Sequence, residues 1–313
     1  MNKVFIDGEA GTTGLQIRER LMDRADITLL SIDPAKRKDA AERARLINES
    51  DVTILCLPDD ASREAVSLIE NDTTRVIDAS TAFRVADGWT YGFAEMAKGQ
   101  ADAIAHAKRV ANPGCWPQGL IATVRPLIDN GLIPAETPIS ITGISGYSGG
   151  GRKMIEDYEA DLNPAPFLPY ALTFKHKHLP EMARYAGLAQ APLFVPSVGN
   201  FAQGMHTLVP LQLGTLAKTI TPAQIHAAIS DAYTGQTFIK VAPLGVLEQA
   251  PDLDPRALNG TNSMHIYIFA NEASGHVLLM AQYDNLGKGA SGAAVQNLNL
   301  MLGLDHAASL QAA

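Results

Sequence analysis

The residue most suited to take part in a reaction is Cys115, in the segment NPGCWPQG at residues 112–119. Glycine and proline bound a turn there, and the apolar run LIATVRPLI that follows predicts a helix with the cysteine at its N-terminus. A helix N-terminus favours the thiolate, which is the nucleophilic form of the side chain. Cys56, the other cysteine, stands in the apolar run VTILCLP and is interpreted as a buried hydrophobic residue. Two cysteines in 313 residues exclude a disulfide scaffold.

Two histidines are candidates for an acid or a base. His176 and His178 are separated by one residue in FKHKHLPEM, residues 174–182. A histidine beside a nucleophilic cysteine can stabilise the thiolate and transfer protons. Glu181 either orients an imidazole ring or is simply an acidic residue in the first turn of a helix. The alternatives are a solvated basic loop and a metal site, and no metal is expected because no further set of ligands accompanies the pair.

Residues 8–14, GEAGTTG, place Gly8, Gly11 and Gly14 between a predicted strand and a predicted helix. Glycines at such a turn let the backbone approach a pyrophosphate, and the helix N-terminus supplies N–H groups and partial positive charge. The spacing differs from the common G-x-G-x-x-G, so a turn that needs glycine for packing is the alternative. The strand–loop–helix context favours a dinucleotide site.

The residues after the second predicted strand bear on which dinucleotide is bound. Asp33 lies about 20 residues beyond the glycines, where an acidic residue binds the ribose 2′-hydroxyl of NAD. Lys36, Arg37 and Lys38 follow at once and suit the 2′-phosphate of NADP, although a solvated helix start is the alternative. Because Pro34 can turn Asp33 away from the ribose, the sequence favours NADP.

Three further loops combine glycine with small polar residues: SITGISGYSGGGRKM at 140–154, DASTAFR at 78–84 and DNLGKGASG at 284–292. Consecutive backbone N–H groups in such loops can form an anion-binding nest. Arg84 is a candidate clamp for a phosphoryl or carboxylate group. Each loop alone could be a structural turn, but three of them indicate more than packing requires.

Apolar runs in the first half alternate with longer amphipathic stretches, which predicts a parallel sheet covered by helices on both faces. After about residue 139 several runs alternate with period two, as SMHIYIF does at 263–269, which predicts a mostly antiparallel sheet with unlike faces. Pro210 inside one run indicates a strand edge or a bulge. The predicted fold class is therefore α/β, a Rossmann-type parallel-sheet domain plus an α+β domain with a mostly antiparallel sheet. The predicted strands of the first half lie at 4–6, 27–32, 52–57, 76–77 and 109–110, and the predicted helices at 12–24, 37–49, 62–70 and 289–304.

Charge and hydropathy exclude several classes of protein. The net charge is −8, from 25 basic and 33 acidic residues, which argues against a nucleic-acid surface. No apolar run approaches the ~18–20 residues of a membrane span, so no membrane is expected as a partner. The start MNKVFIDGEAG lacks the features of a signal peptide, and a cytoplasmic protein is expected.

The chain resembles the N-acetyl-γ-glutamyl-phosphate reductase family, in its shorter form, from about residue 3 to residue 303. The resemblance implies a step of arginine biosynthesis in which N-acetylglutamyl 5-phosphate, NADPH and a proton give N-acetylglutamate 5-semialdehyde, NADP and phosphate through a cysteine thioester. The family is related to the aspartate-semialdehyde and glyceraldehyde-phosphate dehydrogenases. The segments that carry the resemblance are GEAGTTG, DASTAFR, NPGCWPQG, GYSGGGR, KHKHLPEM, GTNSMHIYIFA and DNLGKGASGAAVQNLNLMLG.

The resemblance also implies a division of the chain. Residues 1–114 and 285–313 would form the dinucleotide-binding domain, with the last helix packed on it. Residues 115–284 would form the catalytic domain, which would also carry the contacts of a homodimer or homotetramer. The only other partner implied is the small acyl-phosphate substrate.

Roles for individual residues follow from the same motifs. Cys115 would be the nucleophile, and its own N–H would help to hold the oxyanion. The His-Lys-His segment would carry the acid or base, with His178 favoured, His176 as the alternative and Glu181 beside them. The residues expected at the cofactor are Gly8, Gly11, Thr12, Thr13, Gly14, Ser31, Arg37, Lys38, Pro58, Ser145, Gly146, Gly149 and Asn285. The residues expected at the substrate are Ser80, Arg84, Asn112 and Arg152.

Two residues depart from the family pattern. The family commonly reads GCYPTG where this chain has Trp116 and Gln118, so the shape of the substrate pocket differs while the nucleophile is untouched. Two other functions compete with the reductase: a sister enzyme acting on aspartyl or aminoadipyl phosphate, and a non-catalytic NADP-binding regulator. An intact Cys115 and His-Lys-His segment count against the regulator.

Overall fold

The computed structural model describes residues 1–216, 218–245 and 253–313 of the chain. They form two compact units, each assembled from separate stretches of sequence. The first unit consists of Met1–Ala94, Gly99–Gly114 and Ala290–Leu310, and the second of Glu95–Lys98, Cys115–Gly289 and Gln311–Ala313.

The points at which the chain changes unit differ in part from those expected. The second unit takes over at Cys115, the position expected from the sequence, but the return occurs at Ala290 and not at residue 285. The reason is that the side chains of Asn285 and Lys288 are hydrogen-bonded within the second unit. The segment Glu95–Lys98 also joins that unit, because its first residue is paired with Lys288.

The first unit is built on a parallel sheet. Its strands are β1 (Asn2–Asp7), β2 (Ile27–Leu30), β3 (Val52–Leu55), β4 (Arg75–Asp78), β5 (Thr90–Tyr91) and β6 (Arg109–Ala111). Its helices are α1 (Thr12–Leu21), α2 (Ala40–Glu49), α3 (Asp59–Ser67), α4 (Gln100–His106) and α9 (Gly292–Met301). The strand order is β2-β1-β3-β4-β6-β5, so the order reverses beside β1, and ligands of such sheets bind at the carboxyl end of the strands at that point.

Both faces of this sheet are buried, as the uninterrupted apolar strands predict. Val4, Ile54 and Ile77 pack with α1 and α9 on one face. Phe5 and Leu55 pack with α2 and α3 on the other. Because each such side chain contributes roughly 1.5–3 kcal/mol on burial, these two layers hold the carboxyl ends of the strands in place.

Two helices begin elsewhere than predicted, for local reasons. α2 begins three residues after residue 37, because a short 3₁₀ turn, Pro34–Lys36, comes first and the carboxylate of Asp39 then caps the helix. α3 begins at Asp59 rather than at residue 62, directly after Pro58. Acidic residues in its first turn complement the helix dipole.

The last helix of the first unit is α9, which is shorter at both ends than the predicted helix at 289–304. It begins only after Gly287–Ser291, which form a π-helical turn. Its predicted apolar stripe of Ala294, Leu298 and Met301 is buried against the parallel sheet. The first helix, α1, likewise stops three residues before the predicted end at residue 24.

The second unit is built on a mixed sheet. Its described strands are β7 (Ser140–Gly146), β8 (Phe167–Pro169), β9 (Leu193–Gly199), β10 (Met205–Gln212), β11 (Ile239–Val241), β12 (Met264–Asn271) and β13 (His276–Tyr283). Its described helices are α5 (Cys115–Asp129), α6 (Gly151–Ala160), α7 (Leu179–Ala186) and α8 (Pro222–Tyr233). The strand order is β11-β12-β13-β10-β7-β9-β8. Neighbours are antiparallel except for the parallel pairs β7–β9 and β11–β12, so the sheet is mostly antiparallel, as expected.

The unlike faces predicted for this sheet are present. In β12, Met264, Ile266 and Ile268 are buried, and the residues between them are half-buried. Pro210 of β10 stands opposite a residue of β13, while the pairing of β10 with β7 ends at Leu208. The missing N–H of the proline therefore falls where the strand is an edge towards β7, as the sequence indicates.

Among the residues that the structure describes, no helix has both the length and the apolar character needed to cross a membrane. α5, for example, has 15 residues, whereas a span needs about 20.

Candidate active site

Cys115 is the first residue of α5, in the second unit. The hydroxyl of Tyr283 donates a hydrogen bond to the Cys115 carbonyl at 2.7 Å and accepts one from the N–H of Gly119 at 3.2 Å. It therefore bridges two backbone groups four residues apart in the first turn of the helix. The N–H groups and the positive end of the helix dipole are thereby fixed beside the thiol, an arrangement that favours a thiolate.

His176 and His178 stand just before α7 and differ in their hydrogen bonds. Nδ1 of His176 accepts the backbone N–H of His178 at 3.1 Å, so in the neutral ring the proton lies on Nε2. Nε2 of His178 lies 4.0 Å from a carboxylate oxygen of Glu181, and both side chains are buried. The neighbouring carboxylate can orient the His178 ring, whereas His176 uses its Nδ1 to hold the backbone N–H of His178.

Aromatic rings connect this histidine segment with the start of α5. The ring of Phe194 lies 5.2 Å from that of Trp116 and 5.1 Å from that of His176, edge-on in both cases. The ring of Tyr170 lies 6.0 Å from that of His176. Burial raises the pKa of Tyr170, the charge of Cys115 raises it further, and a hydrogen bond from Trp116 opposes the shift.

Two further tyrosines near Cys115, Tyr170 and Tyr283, could not be identified from the sequence. Neither tyrosine lies in a recognisable motif, and Tyr283 is 168 positions from the cysteine whose carbonyl it binds. Burial raises the pKa of Tyr283 well above its usual value, so the hydroxyl stays protonated and remains a donor. The apolar run of β13 predicts its burial but cannot predict its partner.

The predicted cofactor residues of the second unit lie around β7. The side chain of Asn285 accepts the N–H of Gly204 at 2.8 Å and donates to the hydroxyl of Ser148 at 3.0 Å. Gly146 has no room for a side chain, since a Cβ there would lie 2.4 Å from the carbonyl oxygen of Ala202. The backbone between β7 and α6 is therefore fixed by the close packing at Gly146 and by the hydrogen bonds of the Asn285 side chain. Ser145 is buried in this segment, whereas Gly149 and Arg152 are exposed.

In the first unit, the glycine loop between β1 and α1 fits an anion. Gly8 has a φ of +93°, and a Cβ there would lie 2.4 Å from the carbonyl oxygen of Cys56. A Cβ on Gly14 would lie 2.5 Å from the carbonyl oxygen of Gly8. Gly11 is the N-cap of α1 and has no side chain to occupy the first-turn N–H groups of Thr12, Thr13 and Gly14. These N–H groups, at the strand order's point of reversal, suit the pyrophosphate of a dinucleotide.

The residues that bear on the dinucleotide's ribose are exposed. The carboxylate of Asp33 accepts the N–H of Ala35 at 2.9 Å, capping the 3₁₀ turn that begins at Pro34. This hydrogen bond occupies one oxygen of the Asp33 carboxylate, the group that would bind the ribose 2′-hydroxyl of NAD. A guanidinium nitrogen of Arg37 lies 3.6 Å from the carboxylate of Glu9, which is a residue of the glycine loop, so Arg37 stands beside that loop. Exposed positions also hold the predicted cofactor residues Ser31, Lys38 and Pro58.

Three predicted substrate residues of the first unit are buried and bonded to the protein itself. Arg84 donates to the carbonyls of Asn112 at 3.0 Å and Ala79 at 3.2 Å. Ser80 donates to the carboxylate of Asp78 at 2.6 Å, and burial raises the pKa of Asp78 while this bond opposes the shift. The amide of Asn112 is hydrogen-bonded to the carbonyl of Ala290 and to the side chain of Asn297. These bonds favour a supporting role for the three residues over direct contact with a substrate.

Among the residues described by the structure, no three His, Cys, Asp or Glu side chains are grouped so that they could hold a metal ion. The pKa of Cys56 is raised to about 12, chiefly by burial, so this thiol is not a competing nucleophile.

Comparison with known proteins agrees with these features. Residues 3–105 match the family described as semialdehyde dehydrogenase, NAD binding domain, and residues 115–285 match semialdehyde dehydrogenase, dimerisation domain. The chain is 63% identical over 303 residues to the N-acetyl-gamma-glutamyl-phosphate reductase of Chelativorans sp. (strain BNC1), covering 96% of this chain and 98% of that protein. It is 52% identical over 308 residues to the protein of the same name from Burkholderia cenocepacia (strain J2315), covering 97% and 98%.

Solved structures with little sequence identity share the fold. Aspartate semialdehyde dehydrogenase II from Vibrio cholerae superposes with a TM-score of 0.71 at 15% identity, covering 97% of this chain and 98% of that one. A probable aspartate-semialdehyde dehydrogenase from Pseudomonas aeruginosa gives 0.70 at 16% identity, covering 96% and 98%. The predicted fold class is therefore confirmed. Because it is 52–63% identical to these relatives over nearly its full length, the chain belongs to the N-acetyl-γ-glutamyl-phosphate reductase family, within the semialdehyde dehydrogenases.

Proposed function

We propose that the chain reduces N-acetylglutamyl 5-phosphate with NADPH, giving N-acetylglutamate 5-semialdehyde and phosphate, as a step of arginine biosynthesis. The observation that carries the proposal is Cys115 at the first residue of α5, in a chain that is 63% identical to a protein named N-acetyl-gamma-glutamyl-phosphate reductase. The cysteine indicates the type of reaction, and the substrate is inferred from the activity for which the relatives are named.

Cys115 begins the reaction. Its thiolate attacks the acyl carbon, the carbon–sulfur bond forms, and the carbon–oxygen bond to the phosphoryl group breaks as phosphate leaves with the bonding pair. The backbone N–H groups at the start of α5 stabilise the negative oxygen of the tetrahedral intermediate. Arg152, exposed in the first turn of α6, is the proposed cation for the departing phosphate.

The thioester on Cys115 is then reduced. Bound NADPH supplies the hydride for this step. The sulfur leaves as the thiolate, which the N-terminus of α5 stabilises as it did before the attack. His178 is the proposed acid, because its ring lies 4.0 Å from the Glu181 carboxylate, which can hold it in place. It donates its proton to the departing sulfur or to the oxyanion. His176 is proposed to fix the ring next to it through its bond to the His178 backbone.

NADP is proposed as the cofactor in preference to NAD. Arg37 and Lys38 are exposed beside the glycine loop, and Asp33 is occupied in capping its own turn. A fold relative from Candida albicans, with a TM-score of 0.64, is an aspartate semialdehyde dehydrogenase solved with NADP. The exposed cations suit a 2′-phosphate, which NAD lacks.

The assembly, location and division of labour are proposals of the same kind. The second unit matches a dimerisation domain, which supports a homodimer or homotetramer. Cytoplasmic location is proposed from the biosynthetic reaction. The first unit is proposed to bind the dinucleotide, with Ser145, Gly146, Gly149 and Asn285 of the second unit at the nicotinamide.

The test is the reaction run in reverse. Purified protein is mixed with N-acetylglutamate 5-semialdehyde, phosphate and NADP, and the absorbance of NADPH is followed, with NAD in a parallel cuvette. Phosphate-dependent formation of NADPH supports the reaction, the substrate and the cofactor together. No signal from folded protein that still binds NADPH contradicts the proposal and favours a sister substrate or a regulator.

Variants test the covalent route and the acid. Cys115→Ala is expected to abolish turnover and to leave NADPH binding nearly unchanged, and retained turnover contradicts the thioester. In the direction of thioester reduction, where it acts as an acid, His178→Asn is expected to remove the alkaline limb of the pH–rate profile. His176→Asn serves as the matched comparison, and loss of that limb only in His176→Asn would reverse the assignment.

A further inference from the structure

A fully buried ion pair lies in the second unit, close to the start of α5. Nζ of Lys288 is 2.8 Å from both carboxylate oxygens of Glu95, and the two side chains are 1% and 2% exposed. Burial lowers the pKa of Lys288, and the Glu95 carboxylate opposes the shift. Two ions removed from water in this way seldom give a net gain in stability, so the pair calls for an explanation beyond stabilisation.

Two contacts connect the pair to the nucleophile. Nε2 of Gln118, in the first turn of α5, donates to the Lys288 carbonyl at 2.8 Å. Gly289 is packed so closely that a Cβ there would lie 3.0 Å from Cβ of Cys115. Both Lys288 and Gly289 belong to the π-helical turn at 287–291, a conformation that is rare and frequent at functional sites.

The turn is constrained on its other side as well. A Cβ on Gly287 would lie 2.2 Å from the carbonyl oxygen of Thr261, and the N–H of Gly289 donates to the Asp284 carbonyl at 2.8 Å. The turn therefore has little freedom once the Lys288 side chain is fixed. Helix α5 contacts this turn at the carbonyl of Lys288 and at Gly289.

We propose that Glu95 and Lys288 are positioning residues for Cys115: the ion pair fixes the π-helical turn, and the turn fixes the nucleophile through Gln118 and Gly289. The inference rests on the proposed role of Cys115 as the nucleophile. It also gives Gln118, where the family commonly has threonine, a specific task, which is to tie the turn to the first turn of α5. Neither member of the pair needs to touch the substrate for this effect.

The competing explanation is that the pair only anchors the segment Glu95–Lys98 to the second unit. The two explanations differ in one observable. An anchor changes the temperature of unfolding, whereas a positioning pair also changes the reactivity of the Cys115 thiol in folded protein. Reaction of this thiol with iodoacetamide measures that reactivity without substrate or cofactor.

The experiment uses two variants of the full chain. Glu95→Gln with Lys288→Met removes both charges while keeping the side-chain sizes, and no unpaired ion is left in the interior. Gln118→Met removes only the tie to the Lys288 carbonyl and keeps the pair. Ile239→Ala, which removes buried apolar atoms from β11, is the control for lost stability alone.

The rate of Cys115 alkylation is measured between pH 5 and 9 by mass spectrometry of its peptide, which separates it from Cys56. At neutral pH we expect the rate to fall about 10- to 100-fold in the double variant and in Gln118→Met, as for a nucleophile displaced by about 1 Å. In steady-state assays, kcat falls while the KM for NADPH is unchanged. The control lowers the unfolding temperature without changing the rate of alkylation.

Alkylation at the wild-type rate in both variants overturns the inference and leaves the pair as an anchor. If the double variant does not fold, Gln118→Met decides alone. The outcome is separate from that of the proposed function, because slowed alkylation supports positioning even if the wild-type protein shows no reductase activity. Conversely, an active reductase whose variants alkylate normally retains its function and loses the positioning pair.

Discussion

Replacing the three glycines of the loop at 8–14 one at a time should separate those that shape the loop from the one that leaves room for a ligand. A Cβ on Gly8 or Gly14 would lie 2.4 or 2.5 Å from a backbone oxygen of the protein. At Gly11 the nearest atom is 3.4 Å away, which is an ordinary contact distance, and φ is −76°. Alanine at Gly11 therefore fits the protein itself, and its effect should appear only when a pyrophosphate approaches.

The expected magnitudes follow from these distances. The left-handed backbone of Gly8 costs a non-glycine residue about 1–2 kcal/mol, and overlap with a backbone oxygen costs about 1–3 kcal/mol. Gly8→Ala should therefore lower the free energy of unfolding by about 2–5 kcal/mol, and Gly14→Ala by about 1–3 kcal/mol. Gly11→Ala should leave stability unchanged or raise it by up to about 1 kcal/mol. It should weaken NADPH binding at least about tenfold, or 1.4 kcal/mol.

The assay pairs thermal unfolding of the ligand-free protein with titration of NADPH by fluorescence. Gly11→Ala is the informative variant, because its two readouts should move independently. Wild-type affinity for NADPH in Gly11→Ala would refute the idea that this glycine makes room for the pyrophosphate. An unchanged unfolding temperature in Gly8→Ala would refute the close contact from which the cost was derived.

Three other predictions concern separate parts of the chain. Burial lowers the pKa of His206 from 6.5 to about 4, so the unfolded chain binds more protons between these pH values and the free energy of unfolding declines as the pH falls through them. In urea unfolding, His206→Gln should therefore lose about 2 kcal/mol less of this free energy than the wild type between pH 7.5 and 5.0. Equal losses would contradict the shift. Tyr283→Phe should lower the free energy of unfolding by about 1–3 kcal/mol and slow the alkylation of Cys115, and a wild-type rate would exclude the hydroxyl bridge as a support for the nucleophile. Changing Arg37 and Lys38 together to serine should raise the KM for NADPH at least about tenfold and leave that for NADH unchanged, whereas equal effects would place the 2′-phosphate elsewhere.

Five strands and four helices of the first unit could be predicted from the sequence to within a few residues, because the strands are apolar throughout and the helices are amphipathic. β5 and α4 were not predicted, since they have only two and seven residues. The other errors lie at helix ends, as at α2, which Asp39 caps, and at α3, which begins directly after Pro58. In the second unit, β8 has three exposed residues and β9 contains Pro196, so neither shows the alternation that identifies a strand. Their positions are set by pairing of β9 with β7 and of β8 with β9, which is not a local property of the chain.

The candidate site divides in the same way. Cys115, the histidines and the glycine loop could be located because each lies in a short motif with its own chemistry. Tyr283 and Glu95 could not, because each acts on the site through a partner that is more than 160 positions away. Arg84 differs from these, since its type suggests an anion clamp while two of its hydrogen bonds go to backbone carbonyls.

The interleaving of the two units along the chain has a consequence for biosynthesis. Glu95 and Lys288 are 193 positions apart, so at about 5–20 residues per second the ribosome makes the acid roughly 10–40 s before its counter-ion. Helix α9, which covers one face of the parallel sheet, is synthesised directly after Lys288, so that face also stays uncovered for a similar time. Neither unit can complete its core while the chain is still being synthesised. The nascent chain therefore presents an uncovered apolar face of its parallel sheet until near its release, which is the kind of surface that chaperones bind.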